Sequence, residues 1–483
     1  MKKKVLSVVL SVAMVATMLS ACGGEAAAPT TEAPAAEEAT AEEPAPAAEE
    51  EAPAAEEVAE APAGDNVINL WSFTDEIPGM VDKFLEANPD FGYTVNTTII
   101  ATTDGAYQPA LDAALAAGGA EAPDIYAAEA AFILKYSQGD ACQYAAPYKD
   151  LGIDVDKEIK DADIAQYTVD IGTNPDGDVV ALGYQATGGA FIYRRSIAKD
   201  VFGTDDPAEI EKEIGAGSQN FDKFFEAAKK LKDKGYAIVS GDGDLWHAVE
   251  NSSDQGWIVD GKLTIDPKRE AFLDYSKELK DNGYHNDTQD WTDAWFADMK
   301  DEGPKGVFAY FGPAWLINYT LAPNCGGEAV GEGTYGDWAV CAPPVGFFWG
   351  GTWVLANKDS TKKEAVGQII DWITLNATQD GLQYKWANGT LNGEGGTKDC
   401  VASGTVMSIS DGSLDFLGGQ NMFDAFVPAN QYANGKNLTQ YDETINSYWR
   451  DAVRQYTSGE KDRETAIADF KTNVGDNLDV VVE

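Results

Sequence analysis

The chain has 483 residues with 35 Lys and Arg against 80 Asp and Glu, a formal net charge of -45. Such an excess of acid excludes nucleic acid and anionic lipid surfaces as partners, because both would be repelled over the whole surface. The length is enough for a large core and two lobes or more.

The first residues read as a leader. Lys2, Lys3 and Lys4 form a positive start, and Val5 to Leu19 is apolar or small, too short for a mature membrane span. Leu19-Ser20-Ala21-Cys22, with Gly23-Gly24 behind it, resembles the lipobox of bacterial lipoproteins, which implies removal of 1–21 and lipidation of Cys22. From 22 to 65 the chain is nearly all Ala, Pro, Glu and Thr, with Val58 its one large aliphatic, and is expected to stay disordered. As a tether it would reach from about 35 Å when coiled to about 120 Å when polyproline-like. That length suits the outer face of a Gram-positive membrane, so the expected location is extracellular and lipid-anchored.

The folded part opens with an apolar strand over 67–71, followed by a helix from Ile77 to Ala87 that ends at Asn88-Pro89. A β-branched strand covers 93–100, a helix 107–117 closes at Gly118-Gly119, and Asp124-Ile125-Tyr126 begins another strand. Strands at 179–184 and 189–193 flank Gln185-Ala186-Thr187-Gly188. Phe221 to Lys232 has Phe221, Phe224, Phe225, Ala228 and Leu231 on one helical face. A strand at 236–240 runs into Gly241-Asp242-Gly243-Asp244, read as a loop. Helices follow at 270–282 and 292–300, a strand at 306–311 ending in Gly312-Pro313, a strand at 351–356, and helices at 362–376, 441–456 and 463–474. Alternating strands and helices indicate an α/β fold with mainly parallel sheets.

The order of these pieces resembles that of the family 1 extracellular solute-binding proteins, the maltodextrin-binding-protein-like lipoproteins that serve carbohydrate ABC importers. The resemblance is carried by Ile68 to Pro89 (INLWSFTDEIPGMVDKFLEANP), Ala122-Pro123-Asp124-Ile125-Tyr126, Gly189 to Phe202 (GAFIYRRSIAKDVF), Gly306 to Leu316 (GVFAYFGPAWL), Trp353 to Gln379, and Ser458-Gly459-Glu460. It implies a two-lobe fold with a hinged cleft between mainly parallel sheets flanked by helices. Lobe 1 would take 66–186 and 349–395, and lobe 2 would take 187–348 and 396–483. It also implies a carbohydrate, an oligosaccharide in view of the many aromatics, trapped by lobe closure and passed to permease subunits by a monomeric protein without cofactor.

Sugar hydroxyls call for carboxylates and amides, and sugar C–H faces call for aromatic rings, at strand ends. The 12 tryptophans include Trp71, Trp246, Trp291, Trp295, Trp315, Trp349 and Trp353 at loop tips, whereas Trp372 and Trp386 lie on helical faces. The candidate ligand contacts are Trp71, Asp75, Glu76, Glu129, Gln185, Thr187, Asp244, Trp246, Trp295, Trp315, Trp353 and Asn421, with Gln420 beside the last. Trp449 has a place similar to that of a sugar-stacking aromatic of the family, in a helical setting that equally suits the core. The family more often has its aromatic directly after the proline, one residue before Trp315.

A glycoside hydrolase would need two carboxyls about 5–9.5 Å apart, a distance that sequence does not supply. There is no Gly-x-Ser-x-Gly, and the two histidines, His247 and His285, lie on separate segments without a His-Glu-x-x-His. Asn174 to Asp178 lacks the later Glu of a calcium loop and reads as a turn. Repeated carbohydrate modules of an adhesin are absent. Beyond Cys22, the cysteines are Cys142, Cys325, Cys341 and Cys400, which have no zinc spacing. Cys325 and Cys341, flanking a Gly-rich excursion, are the expected disulfide.

Overall fold

A computed structural model describes residues 66–102, 105–393 and 395–482. The expected leader, Cys22 and the whole of the tether lie outside them. Residues 63–483 group into one unit.

The strands include β1 (Val67–Ser72), β2 (Thr94–Ile99), β3 (Ile125–Glu129), β4 (Ala181–Gly183), β5 (Ala190–Arg194), a small hairpin of β6 (Ile258–Val259) and β7 (Lys262–Leu263), β8 (Ala309–Gly312), β9 (Trp338–Cys341) and β10 (Thr352–Ala356). They form two main sheets, β2-β1-β3-β10-β4 in lobe 1 and β8-β5-β9 in lobe 2. Ile68, Leu70, Ile125, Ala127, Val354 and Ala356 are buried on one face of the first sheet. Tyr126, Ala128, Trp353 and Leu355 are buried on the other. Burial on both faces explains why these strands read as near-continuous apolar runs.

Helix α1 (Glu76–Ala87) lays Ile77, Met80, Val81 and Phe84 on the first sheet at three- and four-residue spacing, and α2 (Tyr107–Ala117) buries Tyr107, Leu111 and Leu115. Asp75, at the start of α1, makes no side-chain cap bond and stays exposed.

The sheets are mixed rather than mainly parallel. β1 runs parallel to β2 and β3, but β10 is antiparallel to both β3 and β4. β5 is antiparallel to β8 and β9, and lobe 2 has parallel pairing in the bridges Ala237–Val307, Val239–His285 and Lys262–Val481. The physical reason is the crossing: β5 and β10 each enter a sheet from the other lobe and run against the strands already there.

Two segments, 184–189 and 342–351, therefore connect the sheets. They pair with each other where Gly188 bridges Phe348 and the Gly189 N–H donates to the Phe347 carbonyl. A Cβ on Gly189 would lie 2.0 Å from the Phe347 ring, so only glycine permits this approach. The stretch around 400 touches both lobes. The Ala402 N–H donates to the Tyr184 carbonyl, while Cys400 and Val401 pack with Ile192 and Tyr310.

Cys325 and Cys341 are free thiols. Cys341 faces the core of Phe191 and Phe311, whereas Cys325 packs with Trp338 and Val340 on the opposite face of the same sheet. Closeness in sequence across a turn does not bring them together, because the sheet itself stands between them.

Candidate functional site

The two crossings define where a site can form, and Thr187 locks them together. It is fully buried, its Oγ1 donates to the Gly350 carbonyl at 2.8 Å, and the Tyr167 hydroxyl lies 3.0 Å from that oxygen. Its hydroxyl is thus occupied within the hinge rather than turned to a ligand. Beyond it the chain turns through Gly350 and Gly351, at φ 75° and 119°, which places Trp349 and Thr352 on either side.

On the lobe 1 side, Thr352 is the register partner of Glu129. Glu129 Oε2 accepts from the Ala131 N–H at 2.8 Å. Burial, with the charge of Glu443, pushes Glu129 up to about 7 despite the backbone donors. Glu76 is also raised by burial, against hydrogen bonds from the Tyr184 and Thr352 hydroxyls, and its Oε1 is buried without a partner. Gln185 donates to Asp399 Oδ2 at 2.8 Å, and the Cys400 N–H donates to the other oxygen at 2.7 Å. Burial first, then the charge of Glu76, brings Asp399 to about 7. Trp71 is half-buried near the end of β1, its carbonyl accepting from the Tyr107 hydroxyl at 3.3 Å.

On the lobe 2 side the walls are aromatic. Trp291 and Trp315 are nearly parallel, 12° apart with ring centres at 6.2 Å. Trp349 stands at 61° to Trp315 at 4.7 Å, and the Trp315 indole N–H donates to the Trp349 carbonyl at 3.0 Å. His247 stacks on Trp349 at 3.5 Å and 15°, with Nε2 3.1 Å from Asp290. Burial works to raise the Asp290 carboxyl, but His247 and Arg450 outweigh it and hold it below the usual range.

Trp291 is 40% exposed and has a φ of 64°, a conformation that bulky side chains avoid. The neighbouring Asp290 packs so closely on Gly243 that a Cβ there would come within 2.0 Å of its carboxylate. A left-handed backbone that presents a large ring to solvent makes Trp291 a candidate contact.

Five of the expected contacts, and Gln420 beside one of them, are engaged elsewhere. Trp246 is 3% exposed against Phe272 in the lobe 2 core, and Trp353 is buried with its indole N–H on the Thr168 carbonyl at 3.1 Å. Asn421 caps the following helix by accepting from the Phe423 N–H at 3.0 Å, and Gln420 pairs with both backbone groups of Val340. Asp244 lies inside the helix Asp242–Glu250, where a loop was expected. One of its oxygens accepts from the Ser240 and Gly241 N–H groups at 3.0 and 2.9 Å, the other from the Trp295 indole at 3.0 Å. Burial and the charge of Asp290 push its pKa well up. Trp295 is itself 1% exposed and supports Trp291 from below at 5.4 Å. Trp449 is core, packed on Trp257 and Phe470.

The site therefore gathers Glu76, Glu129, Gln185 and Trp315 from the sequence reading, with Asp75 exposed at its edge. It adds Trp291, Trp349, His247, Asp290 and Asp399. The first two carried a signal, a tryptophan beside Asp or Gly at a loop tip. Asp399 carried none, since its partner Gln185 is 214 positions away. Carboxyl oxygens on one wall and indole faces on the other can accept hydrogen bonds from hydroxyls while stacking on apolar faces. Among the described residues no group of three His, Cys, Asp or Glu is placed to hold a metal, and no helix is long and apolar enough to cross a membrane.

Residues 71–380 match the family described as bacterial extracellular solute-binding protein. Similar solved structures include MalE, the sugar-binding protein from Xanthomonas citri. It has 15% identity and a TM-score of 0.64, over 85% of this chain and 96% of that one. The galacto-N-biose/lacto-N-biose I-binding protein of Bifidobacterium longum, in complex with lacto-N-biose, has 15% identity and a TM-score of 0.62, over 86% and 98%. The GacH receptor of Streptomyces glaucescens, solved unliganded and with acarbose, has 16% identity and a TM-score of 0.56, over 85% and 99%. At such identities the likeness is one of fold. No curated protein matches the sequence.

Proposed function

From the premise that the chain belongs to the bacterial extracellular solute-binding proteins, we propose that it captures a carbohydrate between its lobes. The ligand is an oligosaccharide, the lobes close on it, and permease subunits of an ABC importer receive it. The protein acts as a monomer without catalysis or cofactor, held to the outer face of the membrane by a lipid on Cys22. The observation that carries the reading is the pairing of two near-parallel exposed or half-buried indoles, Trp291 and Trp315, with the carboxyls of Glu76 and Glu129 across the crossing. Sugar rings stack on the former and donate hydroxyl hydrogens to the latter. The acid-lined wall disfavours phosphorylated ligands.

The test is tryptophan fluorescence of residues 63–483 titrated with a panel of neutral oligosaccharides of different linkage and length. A saturable change at micromolar sugar, with no new reducing ends over hours, is expected. Cleavage of the sugar would replace transport by hydrolysis, and silence across the panel would remove carbohydrate as the ligand class.

A further inference from the structure

Resting on the carbohydrate reading, we propose that His247 is a positioning residue of the sugar site: its imidazole, clamped by Asp290, holds the Trp349 ring in place beside Trp315 and Trp291.

Trp349 gains little restraint from its own backbone. It is half-buried in the crossing 342–351, and Gly350 and Gly351 follow it at φ 75° and 119°. Its N–H donates to the Thr187 carbonyl at 3.1 Å, and its carbonyl accepts from the Trp315 indole at 3.0 Å. These bonds fix the main chain at 349 but not the ring, which can still turn about its side-chain torsions. What fixes the ring is what it lies against. Trp315 stands at 61° to it with centres 4.7 Å apart, and Trp291 at 60° and 6.0 Å. His247 is closer and flatter than either, at 3.5 Å and 15°.

His247 is itself held from two directions. It stands on the helix Asp242–Glu250, whose start is pinned where Asp244 accepts from the Ser240 and Gly241 N–H groups. Its Nε2 lies 3.1 Å from Asp290 Oδ2, and a carboxylate only accepts, so Nε2 carries the hydrogen. Asp290 is fixed in turn by its fit against Gly243, where a Cβ would come within 2.0 Å of the carboxylate. Positions 243 and 247 are four apart and share one helix face, so a single carboxylate meets both.

Asp290 also immediately precedes Trp291, so the group that orients the imidazole sits beside a second ring of the wall. One histidine thereby ties the helix, the 290–291 turn and the crossing together. Rings that contact a ligand keep their geometry when the side chains behind them are locked by packing and hydrogen bonds, and His247 with Asp290 supplies both.

The experiment compares wild type, His247→Gln, Trp349→Ala and the double variant. Binding is measured by calorimetry with the oligosaccharide that gives the fluorescence response, and ring packing by near-ultraviolet circular dichroism without sugar. Glutamine can still donate to Asp290 but has no ring to stack. His247→Gln is expected to weaken binding about fivefold or more, yet less than about twofold further once Trp349 is already alanine, because no ring is left to position. It should alter the near-ultraviolet bands of wild type and leave those of Trp349→Ala as they are. His247→Phe, which restores a flat ring, should bind more tightly than His247→Gln. An unaltered affinity, an equal loss in both backgrounds, or no recovery with phenylalanine would overturn the inference, while sugar binding by wild type keeps the carbohydrate reading intact. If wild type binds no sugar, the carbohydrate reading falls, and the spectra still judge the positioning role: identical bands in wild type and His247→Gln would overturn it.

Discussion

The turn after β1 and the turn after residue 240 each bring acids to a helix start with a tryptophan nearby. They do opposite things. At the first, Asp75 leaves its helix uncapped and Glu76 keeps a buried oxygen without a partner. At the second, Asp244 receives three donors, two from the backbone and one from Trp295, and Trp246 is sealed in the core. A carboxylate whose oxygens are already satisfied has nothing to offer a ligand, and an indole packed on all sides cannot stack on one. Lobe 2 contributes to the site through other segments, at 291, 315 and 349. What separates Glu76 from Asp244 is the number of partners already engaged, not residue type or place before a helix.

Trp246→Ala should give the largest effect, a loss of about 3–5 kcal/mol of stability from the vacated core volume, read as a large fall in the denaturation midpoint. Asp244→Ala comes next. It strands the Ser240 and Gly241 N–H groups and the Trp295 indole, and about 3 kcal/mol of stability should go with it. If either variant instead keeps full stability and loses only sugar affinity, the contrast between the two turns collapses. Trp315→Ala should do the reverse, weakening sugar binding at least tenfold, about 1.4 kcal/mol, with an unchanged melting temperature. Unchanged calorimetric affinity would take Trp315 out of the site.

The smallest effect concerns Glu129. Its folded pKa of about 7 lies above the ordinary 4.5, so between these values the folded state holds a proton that the unfolded chain has released. Stability therefore falls as pH rises through that window, and the loss is complete above it. Glu129→Gln should raise the melting temperature by about 2 °C at pH 8 and leave it unaltered at pH 4. An equal shift at both pH values would mean that the carboxyl is not desolvated.

Much of the fold was legible because apolar periodicity and chain breakers are local signals. The helix Tyr107–Ala117 has the bounds its pattern predicted, and β5, β10 and the helices Lys363–Thr374 and Asp442–Thr457 lie within one or two residues of expectation. The helix Asp242–Glu250 was not legible, since Gly241-Asp242-Gly243-Asp244 carries turn residues. Here Asp244 satisfies the helix start from within, and Gly243 makes room for Asp290. Trp315 could be read from its abrupt strand end. Trp291 and Trp349 were visible as loop-tip tryptophans, but their strain and stacking arise from backbone angles and crossings that no spacing encodes. Likewise the separation of Cys325 from Cys341 depends on which face of β9 each one meets.

The most direct test of a sugar site built on the 291–315 aromatic wall is a calorimetric titration of Trp291→Ala against wild type, using the oligosaccharide that gives the fluorescence response. At least a tenfold weaker affinity at equal stability is expected, since this exposed ring has no core to support. Equal affinity in the two proteins would contradict the account and place the ligand elsewhere.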